Sequence, residues 1–242
     1  VGIIDWRVAQ CEKLDVSIRT NTWAEAPDVL AENPDVVIIA TGGMPNTEFL
    51  EAGDDLAVTT WDIISGAVKP AENVLLFDDN GGQAGLQAAE FIAEAGSKLE
   101  IFTPERFFAP DVGGLNHVPY AQCFEKHDVT ITLNQRLTSI RRDGNGLVAV
   151  IGSDYSDLVR EQRIDQVVVE HGTLPLDELY FDLKENAVNR GAVDYDALIA
   201  NKPQTLISNP GGAYRLLRIG DAVASRNIHA AIYDALRLCK DL

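Results

Sequence analysis

The chain has 242 residues, 46% of them hydrophobic, enough for one large domain or two modest ones. Its net charge of -17 argues against nucleic acid and against anionic membrane surfaces, both of which call for Lys and Arg. The three isolated cysteines, Cys11, Cys123 and Cys239, form no C-x-x-C pair, which argues against a redox disulfide, a metal site or an iron–sulfur cluster and suits a reducing cytoplasm.

In chain order, Val8, Cys11 and Leu14 suit a helix face, and Val16–Ile18 a short strand. Trp23 to Leu30 reads as a loop or short helical turn. Asp35 to Ala40 is a buried strand that ends in Thr41-Gly42-Gly43, and Thr60 to Val68 suits a helix. No run is apolar for long enough to span a membrane, and no signal peptide is legible. Trp6, Trp23 and Trp61 read as core or edge packing.

Val74 to Arg106 is the most legible stretch. The apolar run Val74–Phe77 is a strand, and Asp78-Asp79-Asn80-Gly81-Gly82-Gln83-Ala84-Gly85 is a glycine-rich turn. A helix follows with Leu86, Ala89, Phe91, Ile92 and Ala95 inward, Gly96 stops it, and Leu99–Phe102 is the next strand. Such a βαβ unit offers a helix N-terminus to a phosphate. The dinucleotide fingerprint is imperfect, because Asn80, Gly82 and Gly85 fill its three glycine positions and Asp78 and Asp79 stand where a diphosphate would approach. Glu105 is the ribose candidate about twenty residues on, and Arg106 would instead favour a phosphate.

Beyond Arg106, Phe107 to Pro119 reads as a loop, Tyr120 to Lys126 as a helix and Val129 to Leu133 as a strand. Arg136 to Val150 is a hairpin about Asp143-Gly144-Asn145-Gly146, and Gln166 to Val169 is a strand. Leu176 to Tyr180 reads as a loop, Asp194 to Ala200 as a helix and Tyr214 to Ile219 as a strand. A last helix, Ile228 to Leu238, carries Ala231, Ile232, Ala235 and Leu238 inward.

Two segments recur. Ala9-Gln10-Cys11 through Ile18 matches Ala121-Gln122-Cys123 through Ile131, with Phe124 inserted. Asp35 to Ile39 with Gly42, Pro45 and Glu48 matches Asp165 to Val169 with Gly172, Pro175 and Glu178 at a constant separation. The second copy follows a glycine-turn unit and the first does not, which implies an N-terminally incomplete product.

Ala40-Thr41-Gly42-Gly43 with Pro45-Asn46-Thr47, Gly82 with Gly85, and Arg218-Ile219-Gly220-Asp221-Ala222 together resemble the flavoproteins with two dinucleotide-binding domains of disulfide-reductase type. The degenerate glycine turn and the stretch from Arg218 to Leu242 are most similar to the C-terminal half of the NADH:flavin oxidoreductases related to trimethylamine dehydrogenase and 2,4-dienoyl-CoA reductase. Within that family, N-methylproline (stachydrine-type) demethylases are the nearest group. The likeness implies an α/β fold of two Rossmann-like domains, the first N-terminally truncated. Residues 1–68 with 205–242 would form an incomplete FAD- or ADP-binding domain, and 69–204 an inserted NAD(P)-binding domain.

In that family FMN and an iron–sulfur cluster belong to an N-terminal barrel where substrate is oxidised. The resemblance therefore implies no catalytic residue and no metal ligand in this chain, with a small-molecule substrate met through the barrel and self-association open. Asp221 would accept hydroxyls of FAD or ADP, with Gly220 allowing close approach and Asn227, Ile228 and His229 at a helix N-terminus facing an anion or a flavin carbonyl. Gly42 and Gly43 would let a dinucleotide pass. Asn80, Gly81, Gly82, Gly85, Glu105 and Arg106 would hold NAD or NADP if that unit binds one. His171, at the position of Thr41 in the second copy, reads as structural, as does His117. The competing reading is a non-catalytic scaffold that has lost its nucleotide.

Overall fold

The computed structural model describes residues 2–239 and residue 242. The chain opens with α1 (Gly2–Lys13), α2 (Ala26–Ala31), β1 (Val36–Ile39), β2 (Gly43–Pro45), β3 (Val58–Thr59) and α3 (Thr60–Ser65). Then come β4 (Asn73–Asp78), α4 (Gln83–Glu94), β5 (Lys98–Phe102), α5 (Gly114–Lys126), β6 (Thr130–Thr132), β7 (Arg136–Asp143), β8 (Gly146–Gly152) and β9 (Val159–Ile164). The last elements are β10 (Gln166–Glu170), β11 (Thr173–Pro175), α6 (Glu178–Lys184), α7 (Tyr195–Ile199), β12 (Arg215–Arg218) and α8 (Ile228–Cys239).

A parallel five-stranded sheet in the order β3–β10–β4–β5–β6 organises the molecule. Alternation along β4 sends Val74 and Leu76 into a cluster with Ile63, Leu86, Ile92 and Phe124 from the helices. Leu75 and Phe77 point the other way, into a cluster with Leu137, Ile140 and Ile151 of the antiparallel sheet β7–β8–β9. Both faces are thus covered, which is why β4 reads as one apolar run. A separate parallel pair, β1–β12, carries a third cluster with Tyr180, Leu183 and Tyr214.

The duplicated segments meet each other. β2 and β11 pair antiparallel, Gly43 opposite Pro175 and Pro45 opposite Thr173, so each copy contributes the same positions. The Leu176 N–H donates to the Gly42 carbonyl and the Asn46 N–H to the Gly172 carbonyl, a symmetric pair of bonds. Gly42 and Gly172 share left-handed backbone, with φ of 76° and 67°. Asp15 and Asp128 likewise both follow their helices with φ near 50°, at 53° and 54°.

Several expectations change. Val16–Ile18 forms no strand; it is exposed, and no strand among the described residues lies beside it, whereas its counterpart β6 pairs with β5. No described residue of α1 is fully buried; Val8 and Leu14 are exposed and Cys11 is half-buried. Trp6, Trp23 and Trp61 are exposed rather than packed, and Trp23 borders a cavity of about 780 Å³ with Thr41 and Leu179. On α4, Phe91 and Ala95 face solvent while Ala88 and Ala93 are inward; on α8, Ile232 is exposed and Asp234 is buried.

Helix α5 begins six residues earlier than expected and contains Pro119, whose cost is offset by burial of Tyr120 and Phe124. Leu176–Tyr180 runs into α6, because Tyr180 and Leu183 form a buried face against β1 and β12. A third antiparallel strand, β9, extends the expected hairpin. Val58 and Thr59 lie in register with Val168 and Val169 and Ile63 joins the central core, while α6 joins the β1–β12 cluster. The chain changes sides at β2 and β11.

Candidate functional site

The carboxyl ends of β1 and β12 and the N-terminus of α8 enclose a cavity of about 360 Å³. Gly42, Gly220, Asp221, Asn227 and Ile228 line it together with Ala40, Ile219, Arg226 and Ala231. Open α/β sheets bind ligands at this end of their strands. Gly220 adopts φ of 63°, and Gly42 faces open space where a side chain would project. Asp221 is half-buried, and its Oδ1 accepts the Arg226 N–H at 3.2 Å, which leaves acceptor capacity for a hydroxyl. The Asn227 side chain caps α8 by accepting the Ala230 N–H at 3.0 Å. This donor and acceptor set suits the ribose or ribityl chain and phosphate of an adenine dinucleotide.

Two expected residues stand apart. Gly43 belongs to the antiparallel strap formed by β2 and β11: a Cβ there would lie 2.6 Å from the Leu174 carbonyl oxygen, so it serves that crossing. His229 is exposed and does not line the cavity. Two others were not read from sequence. Buried Asp234 accepts the Gly220 N–H at 3.1 Å and pairs with Arg226, whose Nη2 also donates to the Gly220 carbonyl at 3.2 Å. Together they clamp the Gly220 turn from beneath. A carboxylate interrupting the apolar stripe Ala231–Ala235–Leu238 was the available signal.

The glycine turn after β4 has a different character. Asp78 is 1% exposed; its Oδ1 accepts the N–H groups of Asn80 at 2.9 Å and Gly81 at 3.0 Å, and its Oδ2 has no partner. A Cβ on Gly85 would sit 1.9 Å from that Oδ2. Burial pushes the Asp78 carboxyl up to about 7, aided by the charges of Glu170 and Asp79 and opposed by the two N–H bonds. Buried Glu170, also shifted upward by burial, accepts from Thr60, from Asn80 Nδ2 at 3.0 Å and from the Gly172 N–H at 3.2 Å. Asp79 meets His171 Nδ1 at 2.6 Å, and that ring packs tilted against Phe49 with centroids 4.3 Å apart. The turn as built does not fit a diphosphate.

Glu105 and Arg106 are both exposed; Arg106 lines a separate cavity of about 470 Å³ with Asn134, Ser153 and Tyr155. Neither side chain bonds to the glycine turn among the described residues. His117 lies on α5, away from both. A wider cavity of about 900 Å³ lies beside Lys98, His127 and Arg163, at the amino ends of β4 and β5 and opposite the glycine turn. Glu90, Glu94 and Cys123 bring ligand-type atoms within 4.8 Å of one another. Burial and the two carboxylates push that thiol upward, contrary to what a thiolate ligand needs. No described helix is long and apolar enough to cross a membrane.

No protein-family model matches the chain. It is 57% identical over 242 residues to a probable N-methylproline demethylase of Rhizobium meliloti, covering 100% of this chain and 36% of that protein. It is 40% identical over 251 residues to the N,N-dimethylglycine/sarcosine dehydrogenase of Chromohalobacter salexigens, covering 99% of this chain and again 36% of the relative. Thioredoxin reductase of Lactococcus lactis shares the fold, with a TM-score of 0.60 at 16% identity over 85% of this chain and 64% of that one. The chain thus spans about a third of the length of these dehydrogenase and demethylase relatives. Along its whole length the chain is thus similar to a portion of these demethylase and dehydrogenase relatives, on a Rossmann-like architecture.

Proposed function

We propose that this chain is the C-terminal, nucleotide-binding portion of a flavin-dependent enzyme that oxidises an N-methylated amine, and that the Gly220–Asp221 cavity holds the adenine dinucleotide, as FAD or as ADP. The convergence of Gly42, Gly220, Asp221 and the α8 N-terminus on one cavity carries this reading. Asp221 accepts hydroxyl hydrogen bonds, the first N–H groups of α8 face phosphate or a ring carbonyl, and Asp234 with Arg226 fixes the Gly220 turn. A bound flavin supplies hydride and electron acceptance. Amine oxidation belongs to the FMN barrel and iron–sulfur site of the remaining length, and the N-methylated substrate class follows from the two relatives' names. Within this chain the unit around β1 and β12 is the FAD/ADP-type domain, and the unit around β4 and β5 is the NAD(P)-type domain by descent.

The test starts from the full-length gene product, denatured to release its nucleotides for identification by mass spectrometry. FAD or ADP in addition to FMN is expected, with the adenine nucleotide lost from Asp221→Ala and FMN retained. An adenine-free protein would leave the scaffold reading, which the acid-filled glycine turn favours for the other unit.

A further inference from the structure

The turn between β4 and α4 keeps the spacing of a phosphate cradle, yet its own chain fills it. We propose that the Asp78 carboxyl stands where a phosphate would stand, and that the unit around β4 consequently takes no pyridine nucleotide. Four observations converge.

The Asn80 and Gly81 N–H groups, the first donors the turn could offer an anion, both end on Asp78 Oδ1 at 2.9 and 3.0 Å. Gly85 usually lets a helix approach its strand closely; here its missing side chain makes room for Asp78 Oδ2, which a Cβ would meet at 1.9 Å. The approach is acidic: Asp79 and Glu170 stand beside Asp78, Asn80 turns its amide toward Glu170 at 3.0 Å, and residues 78–85 include no Lys or Arg. Finally, Pro110 lies over Gly81, where a Cβ would meet its Cγ at 2.9 Å, and the Asp111 N–H donates to the Gly81 carbonyl at 3.1 Å. A diphosphate would have to displace a carboxylate, desolvate beside two more and lift a loop, with no cation to compensate. Reducing equivalents from NADH or NADPH therefore have no seat in this unit. The inference rests on the glycine turn alone and is independent of what the Gly220 cavity binds.

Amide hydrogen exchange on the full-length protein tests it, with NAD⁺ and NADP⁺ added separately at millimolar concentration. No change in exchange across residues 79–86 is expected. Protection confined to residues 219–231 also supports the proposal, because the nucleotide has then entered the other cavity. Saturable protection across 79–86 overturns it. A second arm asks whether Asp78 is the occupant. In Asp78→Ala the Asn80 and Gly81 amides should exchange about tenfold faster, and Asp78→Asn, which keeps an acceptor, should restore slow exchange. Equal rates in wild type and both variants would remove Asp78 from that role. Should the alanine variant not fold, the titration of the unmodified protein decides.

Discussion

Asp78 holds a proton near neutral pH that an exposed aspartate would have lost. Burial raises its carboxyl from 3.8 to about 7, with Glu170 and Asp79 adding to the shift, and His171 is engaged by Asp79 rather than by Asp78. Between those two pH values the folded state binds a proton that the unfolded chain releases, so stability falls as pH rises through this window and levels off above about 7. The full effect is roughly 4 kcal/mol at alkaline pH. Glu170, shifted in the same direction by burial, adds to the slope. In Asp78→Asn the Asp78 share disappears: urea midpoints measured at pH 5 and pH 8 should draw together, leaving the difference due to Glu170. An unchanged difference would mean that Asp78 is not the titrating group. The sequence already placed two carboxylates in the turn, but not which way they faced. Asp78 turns inward onto Gly85 and Asp79 outward to His171. That distinction depends on the end of β4 relative to α4, which no spacing rule encodes. Asp234 stayed hidden for a related reason, since its partners Gly220 and Arg226 come from a turn outside its helix.

At the level of elements, legibility followed the apolar pattern. β4, α4 and β5 emerged because their buried positions are apolar with strand or helix period. β9 did not, because its half-buried positions are polar: Arg160 lies 5.0 Å over the Phe102 ring, and Gln162 donates to Glu100 at 2.8 Å. The early start of α5 was masked by Pro119, which reads as a boundary yet sits at the helix's sixth position. Its missing N–H leaves the Leu115 carbonyl without the usual helical donor. Pro119→Ala should therefore raise stability by about 1–3 kcal/mol, read as a higher thermal midpoint. A lower midpoint would show instead that Pro119 helps seat Tyr120 and Phe124 in the core.

Across the whole molecule, the three apolar clusters fall on two sides of the strap made by β2 and β11. Two flank the five-stranded sheet, and the third surrounds β1 and β12 beneath the Gly220 cavity. The duplication was visible in the sequence, whereas the pairing of its copies with each other was not, because antiparallel register across the strap depends on how the two units face. The Thr173 N–H donates to Ser225 Oγ at 3.0 Å, so the strap also touches the loop that carries Asp221. A ligand in the Gly220 cavity contacts the third cluster's strands and that loop, while the central sheet keeps its own core. Binding stabilises only the states that contain the site, so protection should follow this division. On the full-length protein freed of bound adenine nucleotide, ADP should slow amide exchange in residues 36–45 and 215–231 and leave 74–102 unchanged. In Asp221→Ala the same ADP concentration should give little protection, since a charge-assisted hydrogen bond contributes about 1.5–3 kcal/mol, or roughly a tenfold to hundredfold loss in affinity. Protection that spread evenly into 74–102 would mean that the strap transmits binding and that the two sides open as one unit.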